Sequence, residues 1–509
     1  MQEIIIDGSS LSLEAVEQVA VHHAKIRLAD SSLLKVQKCR DYVEKVIANG
    51  DIIYGLTTGF GKFSTVNIPQ ENIAELQVNL IRSHAVSVGE PYDQAITRAI
   101  MLLRIAVLAK GHSGIRLETL NTLVDMLNKG VHPVIPKRGS VGASGDLSPL
   151  SHLALVLLGE GSAEYQGEIV SGALAMQKAG ITPVQLAAKE GLALNNGTQV
   201  MAAIGVLILL EAERMCKQAD IIAALSIEAL KGTPRAFDEL IHQLRPHPGQ
   251  MTVAANIRNL IQGSKLRESH LNCGNVQDAY SLRCTPQVHG AVRDALKYAR
   301  SVLEIEINSA TDNPLIFPDE QKVISGGNFH GEPLAIALDA MGIAIAELAS
   351  ISERRIEQLL NPALSRGLPP FLAKRPGIDS GFMITQFTAA SLVSENKVLA
   401  HPAAVDSIPT SANQEDHVSM GSISAIKLLQ IAANVRSVLA VEYLIATNAV
   451  EHRGIPSSPA LEAVIACLRE LVPHLEEDRI LYQDMKSSTE LLARAALLDA
   501  VATAAVEIH

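Results

Sequence analysis

Two stretches of the chain are apolar on nearly every side of a helix, and they constrain the fold more than any other feature. Residues 334–351 are interrupted by Asp339, Gly342 and Glu347, and a second such stretch covers residues 423–450. Since a helix that is apolar all round must be buried all round, these stretches predict a central bundle of long helices. Their burial would draw on other copies of the chain as well as on its own helices, so we expect a homo-oligomer.

The remaining pattern predicts a mainly α protein with few strands. From Ser12 onward, apolar residues recur at helical spacing, and Ser12 is a suitable N-cap for the first helix. Short β-hairpins are predicted around Gln166-Gly167 and around Pro318-Asp319. These hairpins would decorate a helical protein.

The length of the chain indicates how many domains it forms, and its net charge limits the kind of partner that it can bind. The 509 residues exceed the usual size of one domain, and we predict an N-terminal lobe over 1–200 and a helical bundle domain over 201–509. The 43 Lys and Arg residues against 54 Asp and Glu give a net charge of -11. Because a nucleic-acid partner requires a basic surface, no such partner is expected.

The cysteines and the apolar runs indicate in which cellular compartment the protein is expected. The five cysteines are an odd number without a C-x-x-C pair, which predicts neither a disulfide framework nor a zinc site. They are Cys39, Cys216, Cys273, Cys284 and Cys467. The N-terminus has no basic segment followed by an apolar one, and the apolar run 200–210 is shorter than the ~20 residues that span a bilayer. We therefore expect a cytoplasmic protein without a membrane partner.

A glycine-rich loop at residues 139–152 is the candidate for chemistry. It places three glycines around Ala143-Ser144, and one interpretation is a turn in which Asp146 or Ser148 caps the following helix. It is not a phosphate-binding loop, because no Lys-Ser/Thr pair follows the glycines. It is not a nucleophile elbow either, because Asp146 stands where G-x-S-x-G has its second glycine.

Another interpretation of the loop uses the backbone itself. Gly145 has no side chain, so its amide nitrogen can approach the Ala143 carbonyl closely if the loop bends tightly. Ring closure with loss of two waters, one from the Ser144 side chain, would leave an exocyclic methylidene. Such a group is a strong electrophile, and none of the twenty side chains is a good one.

Residues 139–152 resemble the signature of the aromatic amino acid ammonia-lyases and aminomutases that form methylidene-imidazolone (MIO). Five further segments resemble blocks of this family in the same order: 54–61, 196–199, 277–283, 324–330 and 411–420. The resemblance implies a mostly helical fold, with an N-terminal lobe that carries the MIO loop and a long-helix bundle that assembles four chains. It also implies that MIO forms autocatalytically from Ala143, Ser144 and Gly145, without a metal or a diffusible cofactor.

The resemblance implies roles for residues outside the loop as well. MIO would take the amine of an α-amino acid, and Tyr280 would remove the β-proton, with Tyr54 near the reacting groups. Arg283 lies three residues after Tyr280, so on a helical turn it would share its face and hold the substrate carboxylate. The residues that resemble those packed around MIO and substrate are Asn196, Gln277 and Phe329.

Two positions favour histidine as the small-molecule substrate. Ser83-His84 resembles the form found in family members that act on histidine, and Glu415 stands where the phenylalanine enzymes carry an amide-type pattern. A carboxylate and an imidazole can hydrogen-bond an imidazole substrate, whereas a phenyl ring would leave both unpaired. We therefore expect elimination of ammonia from L-histidine to trans-urocanate, with Glu415 among the catalytic residues.

Several alternatives stay open at this point. A phenylalanine or tyrosine ammonia-lyase or an aminomutase would use the same scaffold, and Thr57 and Asn195 depart from the usual pattern of the histidine enzymes. A fumarase-type lyase or an inactive helical protein would share the bundle, but the intact Ala-Ser-Gly triplet opposes both. His84 and Glu415 could also ligate a metal, although no third ligand at recognisable spacing accompanies them. His330 and His417 are interpreted as structural.

Overall fold

The computed structural model describes residues 3–59, 61–63, 65–271, 274 and 276–509, and Cys273 lies outside them. The chain divides into two compact units. Unit 1 comprises Met1–Leu207, Arg300–Asp339 and Pro402–Ile426. Unit 2 comprises Ile208–Ala299, Ala340–His401 and Lys427–His509. The sequence predicts one division at residue 200, whereas unit 1 also takes in two later segments.

Helices form most of the described chain, so the predicted mainly α fold is confirmed. In chain order they are α1 (Leu13–Ala20), α2 (Asp30–Ala48), α3 (Ile73–His84), α4 (Gln94–Ala109), α5 (Leu117–Lys129), α6 (Leu147–Leu157), α7 (Gly172–Lys178), α8 (Glu190–Asn195), α9 (Gln199–Ala229), α10 (Glu239–Gln243), α11 (Pro248–Leu260), α12 (Lys265–Glu268), α13 (Tyr280–Arg283), α14 (Thr285–Glu306), α15 (Glu332–Leu360), α16 (Met383–Leu399), α17 (Gly421–His452), α18 (Pro459–Arg469), α19 (Leu481–Ala493) and α20 (Ala496–Thr503). Ser12 caps α1 as predicted, because its hydroxyl accepts a hydrogen bond from the Ala15 amide.

The strands are short, and all of those described lie in unit 1. They are β1 (Ile4–Ile6), β2 (Ile26–Leu28), β3 (Val88–Pro91), β4 (His132–Pro133), β5 (Pro136–Arg138), β6 (Ser162–Tyr165), β7 (Glu168–Ser171), β8 (Leu315–Phe317) and β9 (Lys322–Ile324). β1 pairs with β2 in parallel, β3 with β5 antiparallel, and β4, β6 and β7 form one antiparallel sheet. The hairpins β6–β7 and β8–β9 confirm both predicted hairpins.

Both predicted long apolar helices are present, as α15 and α17. Every residue from 438 to 450 of α17 is buried, whereas Ile336 and Ile343 leave one face of α15 partly open. By length and composition alone both helices could cross a membrane, yet their most apolar stretches are 67% and 72% buried within the fold. The core helices of soluble proteins have the same character.

The predicted site segments of unit 1 lie beside helix ends. His84 ends α3, the glycine-rich loop precedes α6, and Asn196 lies between α8 and α9. The segments that contain Phe329 and Glu415 precede α15 and α17. Irregular backbone carried by rigid helices is a common way to build a precise site.

Candidate active site

The glycine-rich loop is bent by three residues with left-handed backbone. Their φ angles are +75° at Gly142, +49° at Ser144 and +75° at Gly145. Such a φ is uncommon for serine and persists only where the surroundings hold it. A methyl group on Gly145 would lie 2.1 Å from the Gly197 carbonyl oxygen, so this close approach requires glycine.

Asp146 anchors the loop to the start of α9. Its Oδ2 accepts hydrogen bonds from the Val200 and Met201 amides at 2.9 and 3.1 Å, and its Oδ1 accepts one from the Ser422 hydroxyl at 3.0 Å. Burial raises the pKa of Asp146 to about 7, although these donors lower it. Asp146 stands at the N-cap position of α6, but its side chain makes no capping hydrogen bond there, which counts against the interpretation of the loop as a simple capped turn. Its partners are distant in sequence.

The alternative cap of α6, Ser148, is engaged elsewhere too. Its hydroxyl accepts a hydrogen bond from the Val86 amide at 3.2 Å and lies 2.8 Å from the Ser87 hydroxyl. The loop is therefore held by contacts across unit 1 and not by a local cap.

Ser144 is contacted by two of the predicted site residues. Its hydroxyl donates to Glu415 Oε1 at 3.4 Å, and its carbonyl oxygen accepts from Asn196 Nδ2 at 3.1 Å. The other carboxylate oxygen of Glu415 accepts from the Thr410 hydroxyl at 2.6 Å, which orients the group. An amide donor held against this carbonyl polarises it in the manner of an oxyanion hole.

His84 lies at the end of α3, on the wall of the same space. Burial lowers its pKa below the ordinary value, although the Leu80 backbone and the charge of Glu415 raise it. The ring is therefore neutral near pH 7, with one nitrogen as donor and the other as acceptor. Its Nδ1 lies 3.0 Å from the Ser83 hydroxyl.

These residues line one cavity of unit 1, with a volume of about 1150 Å³. The predicted site residues around it are Tyr54, His84, Ala143, Ser144, Asn196, Phe329 and Glu415. His330 and His417 line it as well, with their rings stacked at a centroid distance of 5.9 Å. Sequence reasoning missed the apolar wall, formed by Leu76, Leu80, Leu147 and Leu192, because leucines on helices carry no motif.

The remaining predicted residues, Gln277, Tyr280 and Arg283, belong to unit 2. The predicted shared face is confirmed, since the Arg283 guanidinium lies 4.5 Å from the centre of the Tyr280 ring. The Gln277 amide oxygen accepts hydrogen bonds from that guanidinium. Tyr280 is 71% exposed. Gln277 and Arg283 line a second cavity, of about 420 Å³, together with Lys231, Arg235 and His270.

The two departures from the family pattern point away from the unit 1 cavity. Thr57 donates to the Asp51 carbonyl at 2.9 Å, and Asn195 donates to the Ser151 hydroxyl at 3.1 Å. Neither residue lines the cavity. Among the described residues, no group of three or more His, Cys, Asp or Glu side chains is placed to hold a metal ion, so the pair His84 and Glu415 has no third ligand there.

Comparisons with known proteins agree with this geometry. Residues 11–470 match the model of the aromatic amino acid lyase family. The histidine ammonia-lyase of Alkaliphilus metalliredigens is 53% identical over 98% of this chain and 99% of its own, and that of Koribacter versatilis is 52% identical over 99% and 100%. The crystal structure of histidine ammonia-lyase from Trypanosoma cruzi is similar with a TM-score of 0.92 and 44% identity, covering 99% and 95%. Tyrosine aminomutase from Streptomyces globisporus has a TM-score of 0.94 at 40% identity over both whole chains.

A methyl group on Gly145 should destabilise the fold more than one on Gly167. Both glycines have positive φ, +75° and +83°, so a backbone cost of about 1–2 kcal/mol is common to Gly145→Ala and Gly167→Ala. At Gly167 the methyl meets no atom within 4 Å, whereas at Gly145 it meets the Gly197 carbonyl at 2.1 Å. Urea unfolding should show the larger loss of stability for Gly145→Ala. Equal losses would contradict the close packing of the loop.

Proposed function

Because the chain belongs to the aromatic amino acid lyase family, we propose that it eliminates ammonia from L-histidine to give trans-urocanate. The observation that carries the proposal is the placement of His84 and Glu415 on the cavity that contains Ser144. The fold does not separate this activity from that of an aminomutase, since the two solved structures have TM-scores of 0.92 and 0.94. Identities of 52–53% to two histidine ammonia-lyases favour histidine.

We propose that Ala143, Ser144 and Gly145 form MIO in this chain. Gly145 N would bond to the Ala143 carbonyl carbon, whose oxygen leaves as water, and Ser144 would lose its hydroxyl with the Cα hydrogen as a second water. The left-handed backbone at Ser144 and Gly145 and the Asn196 amide at the Ser144 carbonyl fit such a ring. When formed, MIO supplies the electrophile for the substrate amine.

The other side chains of the proposed site bind the substrate, exclude water and transfer the proton. His84 and Glu415 bind the imidazole of the substrate, and the leucine-rich wall excludes water. Tyr280 takes the β-proton on its phenolic oxygen and Arg283 holds the carboxylate, while Tyr54, Asn196, Gln277 and Phe329 surround the reacting groups. Since a phenyl substrate would leave His84 and Glu415 desolvated without partners, the site discriminates against phenylalanine.

We further propose that the enzyme is a homotetramer in the cytoplasm. The segment 277–283 of one chain would complete the unit 1 cavity of another chain. The exposure of Tyr280, at 71%, supports a partner for this segment. The free thiols of Cys39, Cys216, Cys284 and Cys467 suit a reducing compartment.

Ser144→Ala should abolish activity while the protein stays folded, because the variant has no hydroxyl to lose. The intact mass of the parent should fall short of the calculated mass by two waters, and the variant should lack this deficit. Ser151→Ala, which removes a buried hydroxyl elsewhere in unit 1, serves as the control and should keep the deficit. Activity of Ser144→Ala within tenfold of the parent would refute the proposed MIO.

Glu415→Gln and His84→Phe should lower turnover of histidine. Loss of a charge-assisted hydrogen bond corresponds to roughly ten- to a hundredfold in kcat/KM for Glu415→Gln. His84→Phe offers an apolar wall, so this variant should gain measurable deamination of phenylalanine or tyrosine. Urocanate formation is the assay, and both variants should keep the two-water deficit. Unchanged histidine kinetics in both would mean that the substrate or the selecting residues are wrongly assigned.

Mixing two inactive variants should restore activity if each site draws on two chains. In hybrids of Ser144→Ala with Tyr280→Phe, some sites combine Ser144 of one chain with Tyr280 of another. Hybrids of Ser144→Ala with Asn196→Ala are the control, because both residues belong to unit 1 of one chain. Activity in the first mixture alone is expected. Its absence from both mixtures would contradict the shared site.

A further inference from the structure

Arg104, on α4, is a fully buried cation of unit 1. Its Nη1 donates to the main-chain oxygen of Asn196 at 2.7 Å and to Gln199 Oε1 at 2.8 Å. Within the described residues, its Nε and Nη2 have no hydrogen-bond partner. Asp312 contributes an opposing charge, but its carboxylate is hydrogen-bonded to the buried Lys189 ammonium at 2.8 Å.

The charge on Arg104 is retained under ordinary conditions. Burial lowers the pKa of the guanidinium to about 10, and the charge of Asp312 opposes this effect. The group is therefore protonated near pH 7. Burying a cation whose hydrogen bonds go to neutral oxygens is costly, so packing alone does not explain an arginine here.

The contacts of Arg104 define the turn that faces the glycine-rich loop. Gln199 Nε2 donates to the Thr311 hydroxyl at 2.8 Å, which fixes the amide so that its oxygen faces Arg104. A Cβ on Gly197 would lie 2.9 Å from Arg104 Nη1, so this turn is packed directly on the guanidinium. On its other side, the Gly197 carbonyl accepts from the Asp146 amide at 2.7 Å.

We propose that Arg104 is a positioning residue for the electrophile of the proposed function, acting through the turn at Asn196 and Gly197. It holds the Asn196 main chain so that the Asn196 side-chain amide donates to the Ser144 carbonyl. It also holds the Gly197 carbonyl against Gly145 in the bend that ring closure needs. A cation two hydrogen bonds from the Ser144 carbonyl stabilises negative charge that develops there.

The test uses the full-length protein with Arg104→Met, Arg104→Lys and the control Arg98→Met. Arg98 is also buried on α4, but it donates to the carbonyls of Val19 and Leu127 and contacts His132, away from the loop. The measurements are intact mass, unfolding midpoint and kcat/KM per folded protein.

We expect both Met variants to lose stability, but only Arg104→Met to lose the two-water deficit in most molecules. Arg104→Lys keeps the positive charge on a shorter side chain, so the two-water mass deficit should persist in this variant. Its kcat/KM should fall about tenfold to a hundredfold, because the hydrogen bonds to Asn196 and Gln199 are weakened. A full deficit and parental kcat/KM in Arg104→Met, or the same losses in Arg98→Met, would overturn the proposal.

The same measurements separate this proposal from the proposed function. If Arg104→Met fails to fold, parental kcat/KM in Arg104→Lys would overturn the role of Arg104, and the expected fall would support it. A parent protein without the two-water deficit would overturn both proposals. A parent with the deficit, together with an Arg104→Met variant that has the full deficit and parental kcat/KM, would overturn the role of Arg104 alone.

Discussion

The Gly197 carbonyl, packed against Gly145 and bonded to the Asp146 amide at 2.7 Å, is the contact on which the site depends. It brings the glycine-rich loop and the start of α9 together with no room for a side chain at Gly145. Asp146 reinforces the contact by accepting the Val200 and Met201 amides. Because the two segments are tied by both main chain and side chain, Ser144 is held in a backbone conformation that it would rarely adopt alone.

Sequence periodicity predicted the parts of the fold whose signal is local. The apolar stretches 334–351 and 423–450 could bury themselves only as core helices, and the turn residues at Gln166-Gly167 and Pro318-Asp319 specify hairpins without help from distant residues. Unit 1, by contrast, recruits residues 300–339 and 402–426 through long-range contacts. The bond from Gln199 to Thr311 is one example. No local pattern encodes such pairings.

In the candidate site, too, the sequence pattern did not show which distant residues pair with one another. The glycines and the family blocks identified the residues around Ser144, but the partners of Asp146 and Arg104 could not be read from their neighbours in the sequence. Arg104 stands in an apolar stretch of α4, residues 99–109, whose pattern indicates a buried helix but does not show which groups the guanidinium contacts. Only the packing shows that its hydrogen bonds go to neutral oxygens while Asp312, the neighbouring carboxylate, is hydrogen-bonded to Lys189.

Under the proposed function, selection of an imidazole would rest on the cost of leaving His84 and Glu415 without hydrogen-bond partners, and not on the shape of the cavity alone. Burial lowers the pKa of His84, so its neutral ring has one donor and one acceptor nitrogen, and Glu415 is oriented by Thr410 with its other oxygen towards Ser144. An imidazole has two ring nitrogens and can hydrogen-bond a donor and an acceptor at once. A phenyl ring can bond neither, and a phenol has polar atoms only at its single hydroxyl. Since unpaired buried polar groups are penalised more than a missing methylene, the two side chains would discriminate by what the wrong substrate leaves unbonded. Such a site would need no clash with phenylalanine in order to prefer histidine.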